Sequence, residues 1–216
     1  MAEALSNEEI ISFLKQNYQS AGFIDGLKIK YRSLICPFTD LIPLVQPGHV
    51  VGDVGCGSGQ FLLLLNHFAQ PAKVYGIEVS RRLIDNANKL FHKMPEDKYG
   101  FDIFDGIHFP ENLRQMDIIF LVDVLHHVPS KNLEAFMGNL ITVMKPGARL
   151  VLKDIDRSNP LVYFNKLHDM IFAGEIGNEI SRDDASLLLK NNGLAIIEES
   201  KRTMYVYPHY TIIAKK

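Results

Sequence analysis

The chain has 216 residues, 47% of them hydrophobic and 22% charged, enough for one globular domain with a full core and a small additional segment. Its formal net charge of -2 indicates no basic surface for nucleic acid. No apolar run approaches the ~20 residues that cross a bilayer, and the N-terminus lacks the pattern of a signal peptide. The two cysteines belong to no zinc motif. We therefore expect a cytoplasmic protein without a metal or a nucleic-acid partner.

Residues 1–48 predict a helical segment that is separate from the rest of the chain. Ser6 or Asn7 can cap its first helix, because acidic residues follow in the first turn and apolar residues recur at helical spacing. Further apolar stretches lead to Pro37 and then to Pro47-Gly48, which mark the end of the segment.

Residues 50–65 predict a buried strand, a glycine turn and the start of a helix. Gly55 can take the positive φ that a sharp turn needs, while Gly57 and Gly59 let a ligand lie against the backbone. The N–H groups at the start of the helix can then point at that ligand. The spacing is G-x-G-x-G, so the third glycine comes one residue earlier than in a dinucleotide site.

Asp53 precedes this turn. Residues 53–59, an acid followed by G-x-G-x-G, resemble the first motif of the class I S-adenosylmethionine-dependent methyltransferases. The resemblance implies an α/β fold: a Rossmann-like, doubly wound sheet of seven mostly parallel strands with a final antiparallel strand. The resemblance covers residues 49–216, and residues 1–48 are expected to form an N-terminal helical cap. It also implies S-adenosylmethionine as cofactor and S-adenosylhomocysteine as product, with contacts from Asp53, Gly55, Cys56, Gly57 and Gly59. A turn that binds nothing is the simpler alternative.

The second predicted strand, 73–78, ends in Glu78, about 20 residues after the glycine loop. A carboxylate at this strand end can accept hydrogen bonds from both ribose hydroxyls of a nucleoside. Glu78 matches the second acidic position of the family, so we expect Glu78 and Val79 to contact the cofactor. A solvated glutamate at a strand end is the alternative.

Aromatic or apolar residues at every second position, Tyr99, Phe101 and Ile103, predict a third strand over 99–103. In the family, an acid just beyond this strand accepts a hydrogen bond from the adenine amino group. Asp105, followed by Gly106, stands at that exit and is our preferred candidate. Asp102 stays open, because 102–104 can be matched to the same motif.

Residues 116–122 are almost all apolar, which is typical of a parallel strand buried on both faces. The following D-x-x-H-H run and proline resemble the family's fourth motif in small-molecule methyltransferases. By that resemblance, Asp123 and Leu125 flank the methionine part of the cofactor, and Val124 is a further cofactor contact. An imidazole can take a proton from a hydroxyl substrate, so His126 and His127 are candidate bases, with His126 ahead. Capping or packing beneath the strand is the alternative.

An amphipathic helix over 130–144 and a Lys-Pro-Gly turn lead to a fifth strand over 149–155. Asp154 lies at the carboxyl end of this strand, where it is a candidate catalytic or substrate-contacting group, with a structural role as the alternative. After a helix over 182–190, two strands joined by a short turn near 201–203 close the sheet and must be antiparallel.

Residues 157–180 interrupt the α/β alternation, at the place where class I methyltransferases carry substrate-recognising insertions. Aromatic residues, His168 and two glycines there predict a partly mobile lid. In the family, the N-terminal cap closes over the cofactor and shapes the substrate pocket. Tyr31 and Arg32 are therefore candidate substrate contacts together with His168, and surface packing is the alternative.

The resemblance implies transfer of a sulfonium methyl group to a small-molecule or lipid-like acceptor, with oxygen as the leading acceptor atom. Direct displacement needs no nucleophilic triad, and a base is required only if the acceptor must lose its proton early. Two alternatives are an NAD-dependent oxidoreductase, disfavoured by the early third glycine, and a non-catalytic cofactor-binding or partner protein. The acceptor's identity and the oligomeric state stay open.

Overall fold

The computed structural model describes residues 5–17, 35–164, 166, 170 and 177–216. Seven strands form one sheet in the order β3-β2-β1-β4-β5-β7-β6, where the strands are β1 (Val50–Val54), β2 (Lys73–Glu78), β3 (Tyr99–Ile103), β4 (Ile118–Val122), β5 (Arg149–Ile155), β6 (Ala195–Met204) and β7 (Tyr207–Lys215). β1 to β5 run parallel to one another, and β7 runs antiparallel to both β5 and β6. The predicted seven-stranded, mostly parallel sheet with a closing antiparallel strand is confirmed.

Helices cover both faces of the sheet: α1 (Asn7–Asn17), α2 (Phe38–Leu41), α3 (Gln60–Phe68), α4 (Arg81–Phe91), α5 (Leu133–Val143) and α6 (Arg182–Asn191). One buried cluster packs α5 and α6 on one face, and a second packs α1 to α4 on the other. Ser6 caps α1, because the Glu9 N–H donates to its Oγ at 3.2 Å and its own N–H donates to the Glu9 carboxylate at 2.8 Å. A cap over 1–48 as a separate unit stays a prediction.

The closing hairpin turns later than the sequence predicts. β6 runs straight through 201–203, and the chain reverses at Tyr205 and Val206, where Tyr205 has φ +55°. The two basic residues read as turn residues are strand residues with partners: Lys201 pairs with Asp156, and Arg202 pairs with Asp40. Long-range ion pairs of this kind leave no local signal, so the predicted turn position was wrong.

The turn between β1 and α3 has positive φ at all three glycines: +76° at Gly55, +55° at Gly57 and +78° at Gly59. A Cβ at Gly55 would lie 2.4 Å from Val124 Cγ2, and a Cβ at Gly59 would lie 3.2 Å from Ala87 Cβ. The turn is therefore packed against the end of β4 and against α4. The expectation that the missing Cβ of Gly59 makes room for a ligand was wrong, because that space faces α4 and β3.

His209 on β7 holds the segment before α2 against the sheet. Its Nε2–H donates to the Ile35 carbonyl at 2.6 Å, and this partner assigns the proton to Nε2 because a carbonyl only accepts. The ring is 3% exposed. Burial and then the positive charge of Lys153 lower the pKa of His209 to about 4, so the folded protein holds this imidazole neutral at pH 7.

We expect the lowered pKa of His209 to make folding stability depend on acid. Below pH 6.5 the unfolded chain binds a proton that the folded imidazole resists, so the stabilisation is complete above this pH and is lost as the pH falls towards 4. The loss attributable to this group is about 3 kcal/mol. Urea unfolding at pH 7.5, 6, 5 and 4.5 should show a steeper fall for wild type than for His209→Gln, and parallel curves would contradict this prediction.

Gly55→Ala tests the packing of the glycine turn, with Gly147→Ala as a matched control. Both positions have positive φ, but a Cβ at Gly147 would meet no atom within 4 Å. The control should lose about 1–2 kcal/mol of unfolding free energy from φ alone. Gly55→Ala should lose a further ~1–3 kcal/mol because its Cβ overlaps Val124. Equal losses in urea unfolding would mean that the turn can move away from β4.

Candidate cofactor and acceptor site

The glycine turn and the carboxyl ends of β2 and β4 meet at one edge of the sheet. The N–H groups of Gly55 and Cys56 both donate to the Ile77 carbonyl, at 2.8 and 3.0 Å, which ties the turn to the end of β2. Ligands of open α/β sheets bind at this edge, in the crevice beyond the carboxyl ends of the strands. The structure therefore brings most of the predicted cofactor-binding residues to one place.

Glu78 lies directly across the glycine turn. Its carboxylate accepts hydrogen bonds from the N–H groups of Gly57 and Ser80, each at 3.1 Å. Both carboxylate oxygens are thus held at the end of β2. A carboxylate held in this way can accept hydrogen bonds from two ribose hydroxyls. A ribose bound there would share or replace the Gly57 bond.

Three apolar side chains stay exposed around the same end of the sheet. Val79 is 62% exposed, and Ile103 and Ile107 are exposed at the end of β3 and in the loop beyond it. Ile103 is aligned with Glu78 in the β2–β3 ladder. Exposed aliphatic surface beside a carboxylate suits a nucleoside, because the flat base can cover the aliphatic groups while the sugar meets the acid.

The two candidate adenine acids occupy different surroundings. Asp105 Oδ1 accepts from the N–H groups of Ile107 and His108 at 2.8 and 2.7 Å, and Oδ2 lies 2.7 Å from His108 Nδ1. These bonds, led by the backbone bond from His108, lower the pKa of Asp105 to about 2. Asp102 instead accepts from the Tyr75 hydroxyl at 2.5 Å. Burial and this bond raise the pKa of Tyr75 well above 10. The bonds to Asp102, from Tyr75 and from the Asn112 side chain at 3.4 Å, use one carboxylate oxygen, whereas both oxygens of Asp105 have partners. The choice of Asp105 as the adenine acid stays a prediction.

The other predicted cofactor contacts differ in which of their atoms can face a ligand. Cys56 is buried, and a Cβ at Gly76 would lie 2.6 Å from its Sγ, so the thiol packs on β2 and only its backbone can face a cofactor. Asp53 lies buried within β1. Gly106 has φ +87°, and a Cβ there would meet no atom within 4 Å. Val124 closes the glycine turn from the β4 side.

Asp123 and Lys153 form an ion pair at the ends of β4 and β5. Asp123 has φ +56°, and its N–H donates to the Lys153 carbonyl at 2.9 Å. Lys153 Nζ lies 2.5 Å from Asp123 Oδ1, with the lysine side chain 1% exposed and the aspartate side chain 26% exposed. Lys153 had no predicted role, although the pair Lys153-Asp154 interrupts the apolar run 150–152 of this strand.

His126 and Asp154 meet as a buried pair. Asp154 Oδ1 lies 2.6 Å from His126 Nδ1 and accepts the Ile155 N–H at 2.7 Å, while Oδ2 accepts the His126 N–H at 3.1 Å. Three hydrogen bonds therefore hold the carboxylate, and the carboxylate holds the imidazole. The His127 ring lies beside that of His126, with centroids 4.0 Å apart.

The chain at 177–179 covers the His126 ring. Asn178 N–H donates to the His126 carbonyl at 2.7 Å, and a Cβ at Gly177 would lie 3.1 Å from His126 Cδ2. Glu179 beside it is buried and pairs with Lys166 at 2.7 Å. Glu179 was not predicted as a site residue, since a glutamate in a polar loop gives no sign of burial.

Three predicted substrate contacts, Tyr31, Arg32 and His168, lie outside the described residues. Within the described part of the chain, no group of three or more His, Cys, Asp or Glu residues could hold a metal ion. None of the helices described there has the length and apolar character to cross a bilayer.

Comparisons with known proteins agree with this architecture. A family model described as a methyltransferase domain matches residues 29–199. The chain is 33% identical over 112 residues to a methyltransferase of Streptomyces halstedii, covering 51% of this chain and 39% of the relative. It is 28% identical over 156 residues to an O-methyltransferase of Penicillium expansum, covering 71% and 54%. The chain thus spans about half the length or less of these two relatives.

Solved structures share the fold at low identity. Magnesium protoporphyrin IX methyltransferase from Synechocystis, solved with bound S-adenosylhomocysteine, superposes with a TM-score of 0.69 at 19% identity, covering 97% of each chain. A methyltransferase from Methanosarcina mazei gives 0.67 at 20% identity, covering 82% of this chain and 96% of that one. With the strand order and the family match over 29–199, we conclude that the chain belongs to the class I S-adenosylmethionine-dependent methyltransferase family and not to the NAD-dependent oxidoreductases.

Proposed function

We propose that this protein transfers the methyl group of S-adenosylmethionine to a hydroxyl oxygen of a small-molecule or lipid-like acceptor. The observation that carries the proposal is the buried His126–Asp154 pair at the ends of β4 and β5. It supplies an oriented imidazole at the sheet edge, which is what removal of a hydroxyl proton requires. Two relatives, at 28% and 23% identity, are O-methyltransferases, and this supports oxygen as the acceptor atom.

The cofactor-binding part of the proposal uses the turn and the strand ends. Glu78 would accept the ribose hydroxyls, Val79 would cover the base, and Asp105 with Gly106 would meet the adenine edge. The backbone of the glycine turn, with Asp53, Asp123 and Val124, would line the methionine part. When bound, S-adenosylmethionine supplies a methyl group on a positively charged sulfur. Attack of the acceptor oxygen on this methyl group releases S-adenosylhomocysteine. The protein's main contribution is then to align the two reactants, worth up to about 7–11 kcal/mol of the barrier.

The proposed base acts through its second ring nitrogen. Because Nδ1–H of His126 donates to Asp154, the lone pair is on Nε2, and that atom would take the hydroxyl proton. The Asp154 carboxylate would stabilise the imidazolium that forms. Since the ring is covered at 177–179, the proposal requires this segment to move aside when the acceptor binds. His127, whose ring lies against that of His126, is the alternative base.

The roles of the N-terminal segment and of the insertion are also part of the proposal. Residues 1–48 would form the cap and 157–180 the substrate-recognising insertion on the domain over 49–216. Tyr31, Arg32 and His168 would contact the acceptor from these two segments. A cytoplasmic location is part of the same proposal.

Glu78→Gln tests the cofactor site. The substitution keeps the shape but removes the charge that would accept two ribose hydroxyls, so affinity for S-adenosylhomocysteine should fall by about 1.5–3 kcal/mol. Glu96→Gln is the matched control, because Glu96 is an exposed glutamate at the opposite, amino end of β3. Calorimetric titration of both variants would give the comparison. A Glu78→Gln affinity equal to that of the control would remove Glu78 from the site.

Methyl transfer tests the proposed function itself. With tritiated S-adenosylmethionine and a panel of phenols, hydroxy fatty acids and hydroxylated lipids, each offered beside its amine analogue, we expect label in methyl ethers. His126→Asn should lower kcat by roughly 10²–10⁴-fold without changing affinity for S-adenosylhomocysteine. His127→Asn should retain most of the activity. Label only in amines would refute oxygen transfer, and the reverse order of the two variants would make His127 the base.

A further inference from the structure

Two buried polar side chains on one face of the sheet are short of hydrogen-bond partners. Among the described residues, the Lys153 ammonium makes a single hydrogen bond, to Asp123, although it has three donors. His209 Nδ1 is buried and has no partner within the described chain. Buried polar groups are normally satisfied, and a buried charge with unused donors is costly. This combination points to a ligand that supplies the missing bonds.

The sheet register places these two side chains together. Lys153 is aligned with Thr211 and Ile155 with His209 in the β5–β7 ladder, so Lys153 and His209 are diagonal neighbours on one face. Diagonal pairs lie within reach of long side chains. The effect of the lysine charge on the pKa of His209 agrees with this proximity. With the partly exposed Asp123 carboxylate they form one group, the Asp123–Lys153–His209 cluster.

The cluster is distinct from the proposed base. Lys153 and Asp154 are consecutive residues of β5, so their side chains point to opposite faces. Asp154 lies with His126 on the face that carries α5 and α6, whereas Lys153 lies on the face that carries α1 to α4. Both groups are at the carboxyl end of β5, so a molecule lying across the sheet edge can reach both.

The hydrogen-bonding needs of the cluster define the group that would fill it. Lys153 offers N–H donors, and His209 offers a lone pair on Nδ1, since its proton is on Nε2. A hydroxyl satisfies both, because its O–H donates and its oxygen accepts. A carboxylate or an ether has no proton for Nδ1, and an ammonium would be repelled by Lys153.

We propose that the Asp123–Lys153–His209 cluster is an acceptor-binding subsite that holds a second hydroxyl group of the acceptor, apart from the one that is methylated. The hydroxyl donates to His209 Nδ1 and accepts from Lys153 Nζ, while the ion pair with Asp123 holds Lys153 in place. This inference rests on the proposed oxygen methyltransferase function and narrows its acceptor to molecules with at least two hydroxyl groups.

The direct test follows His209 by NMR in the full-length protein saturated with S-adenosylhomocysteine. The Nδ1 resonance is assigned in ¹⁵N-histidine-labelled protein by its loss in His209→Gln. The probes are hydroquinone, 2,6-dihydroxynaphthalene and 4,4′-dihydroxybiphenyl, each beside its dimethyl ether and its dicarboxylic acid analogue. We expect a saturable shift of the Nδ1 resonance with at least one dihydroxy probe and none with its analogues. No shift with any dihydroxy probe, or equal shifts with the ethers, would overturn the subsite.

Lys153→Met supplies an independent test by calorimetry, and Lys145→Met is its matched control. Lys145 also pairs with an aspartate, Asp117, at 2.6 Å, but before the start of β4. Lys153→Met should weaken dihydroxy-probe binding by roughly 10- to 100-fold, the loss expected for a hydrogen bond to a charged group. The control should keep wild-type affinity, and equal losses in both variants would contradict the subsite.

The outcomes separate the two proposals. Methyl transfer to hydroxyl compounds together with an unperturbed His209 would refute the subsite and leave the proposed function standing. A shifted His209 without methyl transfer to any hydroxyl compound would refute the function and leave a hydroxyl-binding site. If Lys153→Met does not fold, the NMR titration of the wild-type protein still decides between these results.

Discussion

The close contact between Gly55 and Val124 is the constraint on which the site depends. No side chain fits between the glycine turn and the residue after Asp123, since a Cβ at Gly55 would overlap Val124. This contact holds the end of β1 against the end of β4, and the bonds from Gly55 and Cys56 to Ile77 hold it against β2. The proposed cofactor contacts at the ends of β1, β2 and β4 therefore sit on three strand ends that cannot move independently.

Charge burial at the ends of β4 and β5 follows the alternation of the strand. Lys153 and Asp154 are neighbours in sequence, yet one pairs with Asp123 and the other with His126, on opposite faces. Isolated buried charges cost several kcal/mol each, and pairing offsets much of that cost. Apolar residues at these positions would avoid the cost of removing charges from water. We therefore interpret both pairs as parts of a site.

The candidate site was predictable where its residues follow a local pattern. Gly55, Glu78 and Asp123 each stand at a fixed place relative to a strand end, so the sequence located them before any contact was known. Lys153, His209 and Glu179 belong to no such pattern. Their significance depends on partners that come from other elements, and a sequence scan does not show which partners those are.

The sequence by itself determined the class of fold, the positions of the first five strands and the methyltransferase resemblance, because apolar periodicity and glycine spacing are properties of short segments. The tertiary structure alone decided that Gly59 packs on α4, that the last hairpin turns at Tyr205, and that Lys153 and His209 share a face. Each of these depends on packing or pairing between separate elements, and for Lys153 and His209 it is the register between β5 and β7, which are far apart in the chain.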